Sequence, residues 1–304
     1  MSGPRGPEPG RAGARPEEPR GELERARALL AGADEVLVLT GAGISADSGI
    51  PTFRGPGGLW RSRRPEEMAT PEAFERDPRL VWEWYGWRRE VVGACRPNAA
   101  HLALARWALR REGVRIVTQN VDGLHTAAAR EVIREMAWGT GAGTGTAAER
   151  VPSDVGAPTD PAARAADAAP ALPLQLHGSL FRSRCPVCRT AFEHREPIDA
   201  SSRHTLPHCG DCGGLLRPDV VWFGEALPKG ILDEAFDLAS RAGACLVVGT
   251  SAVVQPAASL ATVTLDRGGA IVELNPDPTP LTRLAEVSLR GRAAELLPEL
   301  LQGG

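Results

Sequence analysis

The chain has 304 residues, 42% hydrophobic and 24% charged, which is the composition of a globular protein of one large or two modest domains. Its net charge of −3 offers no basic surface to nucleic acid or to an anionic membrane. Its longest apolar runs, of about six residues, fall far short of the roughly 20 that span a bilayer. No signal segment opens the sequence, so we expect a cytoplasmic protein with neither nucleic acid nor membrane as a partner.

The first elements in chain order are a tail and a helix. Residues 1–21 are rich in Pro, Gly, Arg and Glu and hold almost nothing apolar, so this segment is predicted to be disordered. Residues Glu22–Ala31 carry apolar side chains at helical spacing, which predicts an amphipathic helix. The ordered part of the chain is therefore expected to begin at Glu22.

A buried strand and a glycine turn follow this helix. Val36–Leu39 is an unbroken apolar run typical of a parallel strand that is buried on both faces. Gly41 and Gly43 come directly after it, and Ile44–Gly49 can begin a helix. Because a strand that turns through glycines into a helix start leaves backbone N–H groups free for a pyrophosphate, this turn is a candidate nucleotide site. Its spacing departs from the G-x-G-x-x-G pattern of dehydrogenases.

The next stretch is mostly helical. Gly55–Arg64 is a glycine- and arginine-rich loop suited to covering a bound cofactor. From Thr70 to about Cys95 the sequence predicts a helix, with a proline at its start and a cluster of aromatic residues along it. His101–Arg111 is predicted to form another amphipathic helix.

Three further apolar runs complete the pattern of a parallel sheet. Val114–Thr118, Ala244–Val248 and Ala270–Leu274 read as buried strands, and polar residues follow each of them directly. In open α/β sheets, ligands bind beyond the carboxyl ends of the strands. Because strands alternate with helices, we predict an α/β fold, a Rossmann-like parallel sheet with helices on both faces and one shared cofactor cleft.

The segment 138–173 departs from this pattern. It is low in aromatic and β-branched residues, which favours a flexible surface loop. A long insertion is tolerable because the entropy of closing a loop grows only slowly with its length. Shielding the cleft or recruiting a partner are the alternatives for this segment.

Four of the six cysteines form two C-x-x-C pairs. Cys185 and Cys188 are separated by 20 residues from Cys209 and Cys212, close to the spacing of four-cysteine zinc sites. Four thiolates fill a tetrahedral zinc site and leave no open position for a substrate. The pattern therefore predicts one structural zinc ion.

Seven stretches together resemble the sirtuins, the family of NAD-dependent protein-lysine deacylases. GAGISADSGIPTFRG resembles the cofactor-binding signature of that family, and the resemblance extends over roughly Glu22 to Leu301. The other stretches occur in the family's order: TQNVDGLH at Thr118–His125, LHG at Leu176–Gly178, the two cysteine pairs, VVWFGEALP at Val220–Pro228, GTS at Gly249–Ser251 and ELNP at Glu273–Pro276.

The resemblance implies a reaction and a catalytic residue. His177 matches the sirtuin general base, and Asn120 matches a catalytic asparagine. In the family's mechanism the acyl oxygen of a modified lysine attacks the nicotinamide ribose, nicotinamide leaves, and the histidine takes a proton from a ribose hydroxyl. The implied products are free lysine, nicotinamide and 2′-O-acyl-ADP-ribose.

The resemblance also implies which residues bind NAD and the acylated substrate. Backbone and side-chain contacts to NAD are implied for Gly41, Ala42, Gly43, Ser45, Phe53, Arg54, Trp60, Gln119, Asn120, Val121, Asp122, Gly249, Thr250, Ser251, Asn275, Pro276, Asp277 and Ala293. An extended edge at Val220–Glu225 is expected to pair with substrate backbone, through Val221, Phe223, Gly224 and Glu225.

Tyr85 and Arg88 indicate which acyl group the protein is expected to remove. They stand three residues apart, on one face of the predicted helix, where a phenol and a guanidinium can bind a carboxylate. Tyr-x-x-Arg resembles the sirtuin branch that removes succinyl, malonyl and glutaryl groups, and Thr52 fits that branch. The alternative is an exposed arginine beside an aromatic core face.

The predicted domains follow from these assignments. Segments 22–54, 95–183 and 217–304 are expected to form the NAD-binding domain, and segments 55–94 and 184–216 a small domain of a helical insertion and a zinc ribbon. We expect a monomer acting on acylated-lysine proteins. The alternatives are a protein that is mainly a deacetylase, a mono-ADP-ribosyltransferase, and a non-catalytic NAD-binding scaffold.

Overall fold

The computed structural model describes residues 19–51, 65–139 and 171–302. Several predictions concern residues outside these ranges. They include most of the tail at 1–21, the loop Gly55–Arg64 with Trp60, the residues Thr52, Phe53 and Arg54, and all but the two ends of the segment 138–173.

A six-stranded parallel sheet organises the larger part of the molecule. Its order is β3-β2-β1-β7-β8-β9, and every neighbouring pair is parallel. Its strands are β1 (Val36–Thr40), β2 (Val114–Thr118), β3 (Leu174–Gln175), β7 (Ala244–Val248), β8 (Ala270–Leu274) and β9 (Val287–Leu289). The four apolar runs of the sequence thus form four adjacent central strands, as predicted.

Helices cover both faces of this sheet. One face packs against α1 (Pro19–Gly32), α5 (Ala99–Arg110), α6 (Leu124–Gly139) and α9 (Ala293–Leu300). The other packs against α7 (Lys229–Arg241) and α8 (Ser259–Asp266). All five residues of β1 and of β7 are buried, which explains why these strands are apolar throughout rather than alternating.

A second, antiparallel sheet and a group of helices form a separate core. Its strands are β4 (Gly178–Arg184), β5 (Ala191–Glu193) and β6 (Arg217–Val220), in the order β5-β4-β6. Its helices are α2 (Pro65–Met68), α3 (Pro71–Arg76) and α4 (Pro78–Gly93). The division into domains stays a prediction, and β4 and β6 extend this smaller sheet beyond the predicted ribbon.

The helix predicted from Thr70 to Cys95 is two helices. Asp77 separates α3 from α4, and its side chain accepts a hydrogen bond from the amide of Leu80 at 3.0 Å. Pro78 then takes the first position of α4, where its missing N–H costs nothing. An aspartate cap followed by proline is therefore a start signal inside an otherwise continuous helical pattern.

Two other predicted elements differ from the structure. The residues after the glycine turn form a 3-10 helix over Ala42–Ser48, closed by Gly49 at φ 85°, rather than the start of an α-helix. The predicted edge at Val220–Glu225 is extended only to Val220, since Phe223 and Gly224 form a turn and Gly224 has φ 83°. In the part of the chain that the structure describes, no helix has the length and apolar character to cross a membrane.

Candidate active site

The carboxyl ends of three neighbouring strands bring the predicted polar residues together. Gln119, beyond β2, donates from Nε2 to Thr250 Oγ1 beyond β7 at 3.0 Å. Asn120 donates from Nδ2 to the carbonyl of Gly41, beyond β1, at 3.1 Å. The shared cleft expected from the sequence therefore lies at one edge of the parallel sheet.

The glycines of the first turn pack against the loop that follows β7. The amide of Gly43 donates to the Gly249 carbonyl at 2.7 Å, and the amide of Gly41 to the Val248 carbonyl at 3.1 Å. A Cβ on Gly43 would lie 2.8 Å from Gly249 backbone atoms. These two amides are therefore paired within the protein, and a pyrophosphate at this turn would have to use other N–H groups. The two glycines allow the close approach of two backbones.

A polar cluster lies at the floor of the cleft. Ser45 Oγ donates to Asp122 Oδ2 at 2.8 Å and accepts from Asn120 Nδ2 at 3.2 Å. The other oxygen of Asp122 accepts from the amide of Leu124 at 2.8 Å, at the start of α6. Burial raises the pKa of Asp122, although these hydrogen bonds and the positive charge of Arg88 act against the rise. Ser45, Asn120 and Asp122 thus form one connected unit.

This cluster opens onto a cleft that also contains the predicted specificity residue. The cleft holds about 310 Å³ of empty space, part of it open to solvent. Its walls include Ala42, Ser45, Ile50, Pro51, Arg88, Val92, Asn120, Val121, Asp122 and Leu180. Six of the predicted site residues therefore line one concave surface, namely Ala42, Ser45, Arg88, Asn120, Val121 and Asp122.

His177 lies between the two sheets, directly after β3. Its Nδ1 is 2.9 Å from the carbonyl oxygen of Gln119, so Nδ1 carries the proton and donates. The remaining nitrogen, Nε2, then holds the lone pair of a neutral imidazole. Burial lowers the pKa of His177, partly opposed by the hydrogen bond to Gln119. The lowered pKa makes His177 a neutral base near pH 7, and the hydrogen bond to Gln119 defines its tautomer.

Two buried histidines behind the cleft escaped the sequence analysis. His101 Nε2 is 3.3 Å from Ser45 Oγ, and His125 Nε2 is 2.9 Å from Thr40 Oγ1. The two imidazole rings meet edge to face at 4.9 Å between centroids. Burial lowers the pKa of His101 well below its ordinary value and that of His125 to about 4, so both are neutral near pH 7. His125 ends the TQNVDGLH stretch, but the local sequence does not show that either histidine is buried.

Arg88 is buried in the wall of the cleft, and Tyr85 is buried beside it. The Arg88 side chain is 3% exposed, and its guanidinium carbon lies 4.6 Å from the Trp84 ring centroid and 5.4 Å from that of Tyr85. Burial lowers the pKa of Arg88, while the neighbouring Tyr85 and Asp122 raise it. The alternative of an exposed arginine beside an aromatic face is therefore wrong. A buried cation faces the cleft instead.

The segment after β6 contacts His177 and the helical core. The amide of Val221 donates to the His177 carbonyl at 3.0 Å, and the amide of Phe223 to the Ala69 carbonyl at 2.9 Å. The Phe223 side chain is 51% exposed. Glu225 is held by Arg217, whose two terminal nitrogens reach its two oxygens at 2.5 and 2.8 Å. The Glu225 carboxylate is thus already engaged in an ion pair.

The predicted adenosine-side residues lie beyond β7 and β8. Asn275 donates from Nδ2 to the carbonyls of Thr250 at 3.3 Å and Asp277 at 3.1 Å. Glu273, wholly buried at the end of β8, accepts hydrogen bonds from Thr279, Thr282, Ser288 and Arg290. The role of Glu273 as an anchor for the loop was not evident from the sequence. Ser251, Pro276 and Asp277 are exposed, whereas Ala293 is buried at the start of α9.

The match to a family model decides the identity of this fold. The model described as the Sir2 family matches residues 41–140 and 167–256. The chain belongs to the Sir2 family.

Curated and solved relatives extend this Sir2 match over nearly the whole chain. The NAD-dependent protein deacylase 1 of Archaeoglobus fulgidus is 46% identical over 270 residues, 88% of this chain and 91% of the relative. The NAD-dependent protein deacylase 2 of Pyrobaculum aerophilum is 43% identical over 276 residues, 90% of this chain and 92% of the relative. The crystal structure of a Sir2 homolog–NAD complex superposes with a TM-score of 0.73 at 43% identity, covering 91% of this chain and 92% of that one.

The four cysteines of this Sir2 protein come together in space as predicted. All four Sγ atoms lie within 4.8 Å of one another, with 3.5 Å between Cys185 and Cys212 and 3.6 Å between Cys188 and Cys209. Sulfur atoms about 2.3 Å from a tetrahedral zinc ion stand at such separations. The donor set therefore fits one zinc ion with no open coordination position, beside β4 and β5 and away from the cleft.

Proposed function

We propose that this Sir2-family protein is an NAD-dependent protein deacylase whose preferred substrates are lysines carrying succinyl, malonyl or glutaryl groups. The family, the two deacylase relatives and the Sir2 homolog–NAD complex support the reaction type. The acyl preference is supported by a single feature of this chain, the buried Arg88 in the cleft wall. Acylated proteins are the partners that this reaction requires.

The cleft suits a dinucleotide. Ser45, Asn120 and Asp122 supply polar groups in its wall, and Gly41, Gly43 and Gly249 let the turns after β1 and β7 pack closely against each other. We assign Gln119, Thr250 and Asn275 to the two riboses and the adenine side, because they follow β2, β7 and β8 at the same edge of the sheet. NAD supplies an ADP-ribosyl group that accepts the acyl oxygen when nicotinamide leaves.

His177 is the proposed general base. Its Nδ1–H is bound to the Gln119 carbonyl, so only Nε2 can accept a proton from a ribose hydroxyl. Its lowered pKa keeps the imidazole unprotonated near neutral pH. The same Gln119 residue donates from its side chain to Thr250, which links the orientation of the base to the cofactor side of the cleft.

Arg88 carries the acyl assignment. A guanidinium donates in a planar fork that matches the two oxygens of a carboxylate, and such charge-assisted bonds are about twice as strong as neutral ones. Burial already disfavours the cation, as its lowered pKa indicates. An acidic acyl group brings a negative charge to this cation, whereas an acetyl group brings none. We therefore expect the cleft to prefer the acidic acyl group.

The test compares one peptide carrying succinyl-lysine or acetyl-lysine, with NAD. We expect wild type to prefer the succinyl peptide in kcat/KM, and Arg88→Met to lower that value by about 10- to 100-fold while acetyl turnover is kept or improved. Arg79→Met is the matched control, since Arg79 lies on the same helix with an exposed side chain. An acetyl preference in wild type, unchanged by Arg88→Met, would overturn the acyl assignment and leave a deacetylase.

A further inference from the structure

Trp222 joins the polypeptide after β6 to the acyl pocket. Its indole Nε1 donates a hydrogen bond to the Tyr85 hydroxyl oxygen at 2.9 Å, across 137 residues of sequence. The side chain is 3% exposed and packs against Phe74 at 5.5 Å between ring centroids. The only polar atom of the Trp222 side chain is thus hydrogen-bonded to Tyr85, one member of the Tyr85–Arg88 pair.

The indole is held rigidly on its other side. The Arg217 guanidinium carbon lies 3.3 Å from the Trp222 ring centroid, in a cation–π contact. Arg217 binds both oxygens of Glu225, and Glu225 accepts the backbone amide of Trp222 at 2.8 Å. Because backbone and ring are anchored together, the direction of the indole N–H is fixed before any substrate arrives.

The hydrogen bond from Trp222 determines whether the Tyr85 hydroxyl donates or accepts in a further hydrogen bond. The phenol oxygen accepts from Trp222, and the Arg88 guanidinium, which can only donate, lies beside the Tyr85 ring. With the indole N–H on its oxygen, the phenol has its O–H to offer to an anion. Among the described residues, no carboxylate or carbonyl oxygen accepts this hydrogen, while a carboxylate held by Arg88 would lie within its reach. Burial raises the pKa of Tyr85, so the hydroxyl keeps its proton near neutral pH.

We propose that Trp222 is a specificity-determining positioning residue, whose indole N–H orients the Tyr85 hydroxyl as a hydrogen-bond donor to the carboxylate of an acidic acyl group. The proposal rests on the acyl preference argued above. It gives Trp222 a role distinct from backbone pairing with a peptide. Without the indole N–H, the phenol would be free to rotate and to act as an acceptor, which repels a carboxylate.

The first experiment replaces the indole N–H. In Trp222→Phe, or with 3-benzothienylalanine at position 222 where sulfur replaces the N–H at nearly constant shape, we expect a change in selectivity. The ratio of succinyl to acetyl kcat/KM should fall about three- to tenfold, mainly through a higher KM for the succinyl peptide. Trp107→Phe is the matched control, because Trp107 is a buried indole on α5 that packs in the hydrophobic core of the parallel sheet. It should leave the ratio unchanged.

A double-mutant cycle with Tyr85→Phe separates positioning from packing. If Trp222 acts through the hydroxyl, the Trp222 substitution should not lower the ratio further once that hydroxyl is gone. Additive losses, or a ratio unaffected by either change at position 222, would overturn the proposal while Arg88→Met still abolishes the preference. A wild-type ratio insensitive to Arg88→Met would instead overturn the acyl assignment itself, and this proposal with it.

Discussion

At the scale of single residues, hydrogen bonds to distant backbone define the chemistry of the site. His177 is 58 positions from Gln119 in sequence, yet the Gln119 carbonyl fixes its tautomer. Ser45 similarly contacts His101 and the pair Asn120 and Asp122, so that three separate parts of the chain meet at its hydroxyl. Each contact removes one alternative orientation of a side chain that free rotation would otherwise allow. The site is therefore ordered before its ligands bind.

The His177 assignment predicts both a loss of activity and a pH profile. His177→Ala should lower kcat/KM by about 10²- to 10⁴-fold, whereas the exposed His204→Ala should not. Because burial lowers the pKa of His177, its neutral form persists to lower pH, and activity should fall only below pH 6.5. The measurement is kcat/KM between pH 5 and 8. An acidic limb centred above pH 6.5 would contradict the assignment.

At the scale of elements, close backbone contacts join the two loops that flank the cofactor cleft. Gly249 has φ 59°, and a Cβ there would lie 2.4 Å from the amide nitrogen of Ile44. The glycine turn after β1 is thus required by packing between elements, in addition to any approach of a pyrophosphate. This explains why the turn does not follow the dehydrogenase spacing: its glycines match the neighbouring loop.

Gly249→Ala should therefore destabilise the protein far more than the same substitution at a glycine that also has a positive φ but has open space around it. Gly268 provides that control, since it has φ 87° and nothing within 4 Å of an added Cβ. Gly268→Ala should lower the free energy of unfolding by about 1 kcal/mol from backbone strain alone. Gly249→Ala should lower the free energy of unfolding by more than about 3 kcal/mol, because backbone atoms must also move. Urea denaturation measures both, and equal losses would refute the packing argument.

At the scale of the whole molecule, the cysteine cluster is connected to the helix that carries Arg88. Trp82 donates to the Leu216 carbonyl at 2.9 Å, and Arg89 donates to the carbonyls of His194 and Glu196. Both donors lie on α4, whereas His194 and Glu196 lie between the two cysteine pairs in sequence and Leu216 follows the second pair. The zinc site is thus expected to support the wall of the cleft from a distance.

Loss of the metal should therefore affect both stability and substrate selection. Purified wild type should contain about one zinc per chain, and Cys209→Ser should lose most of it because that ligand is buried. Cys95→Ser is the control, since Cys95 lies outside the cluster. We expect the zinc-free variant to unfold at lower temperature and to bind succinyl peptide more weakly. Metal analysis with thermal denaturation tests this, and a stable, zinc-free Cys209→Ser protein would contradict it.

The parallel sheet, its central strands and the cysteine cluster could all be predicted from the amino-acid sequence. Runs such as Ala244–Val248 could be placed because a strand buried on both faces needs apolar residues at every position, which is a local requirement. Cys185, Cys188, Cys209 and Cys212 could be placed because a tetrahedral ion demands a fixed spacing within each pair. The cleft at the strand ends followed from parallel topology alone.

Which polar residues meet, and which are buried, could not be predicted from the sequence and became evident in the folded chain. Whether Arg88 faces solvent or the cleft, and whether His101 and His125 lie on the surface or behind the site, depends on contacts between segments far apart in sequence. Helical spacing places Tyr85 and Arg88 on one face but does not reveal that Trp222 donates to that face from 137 residues away. Burial and hydrogen-bond partners are properties of the folded chain, because both arise from neighbours that local sequence does not specify.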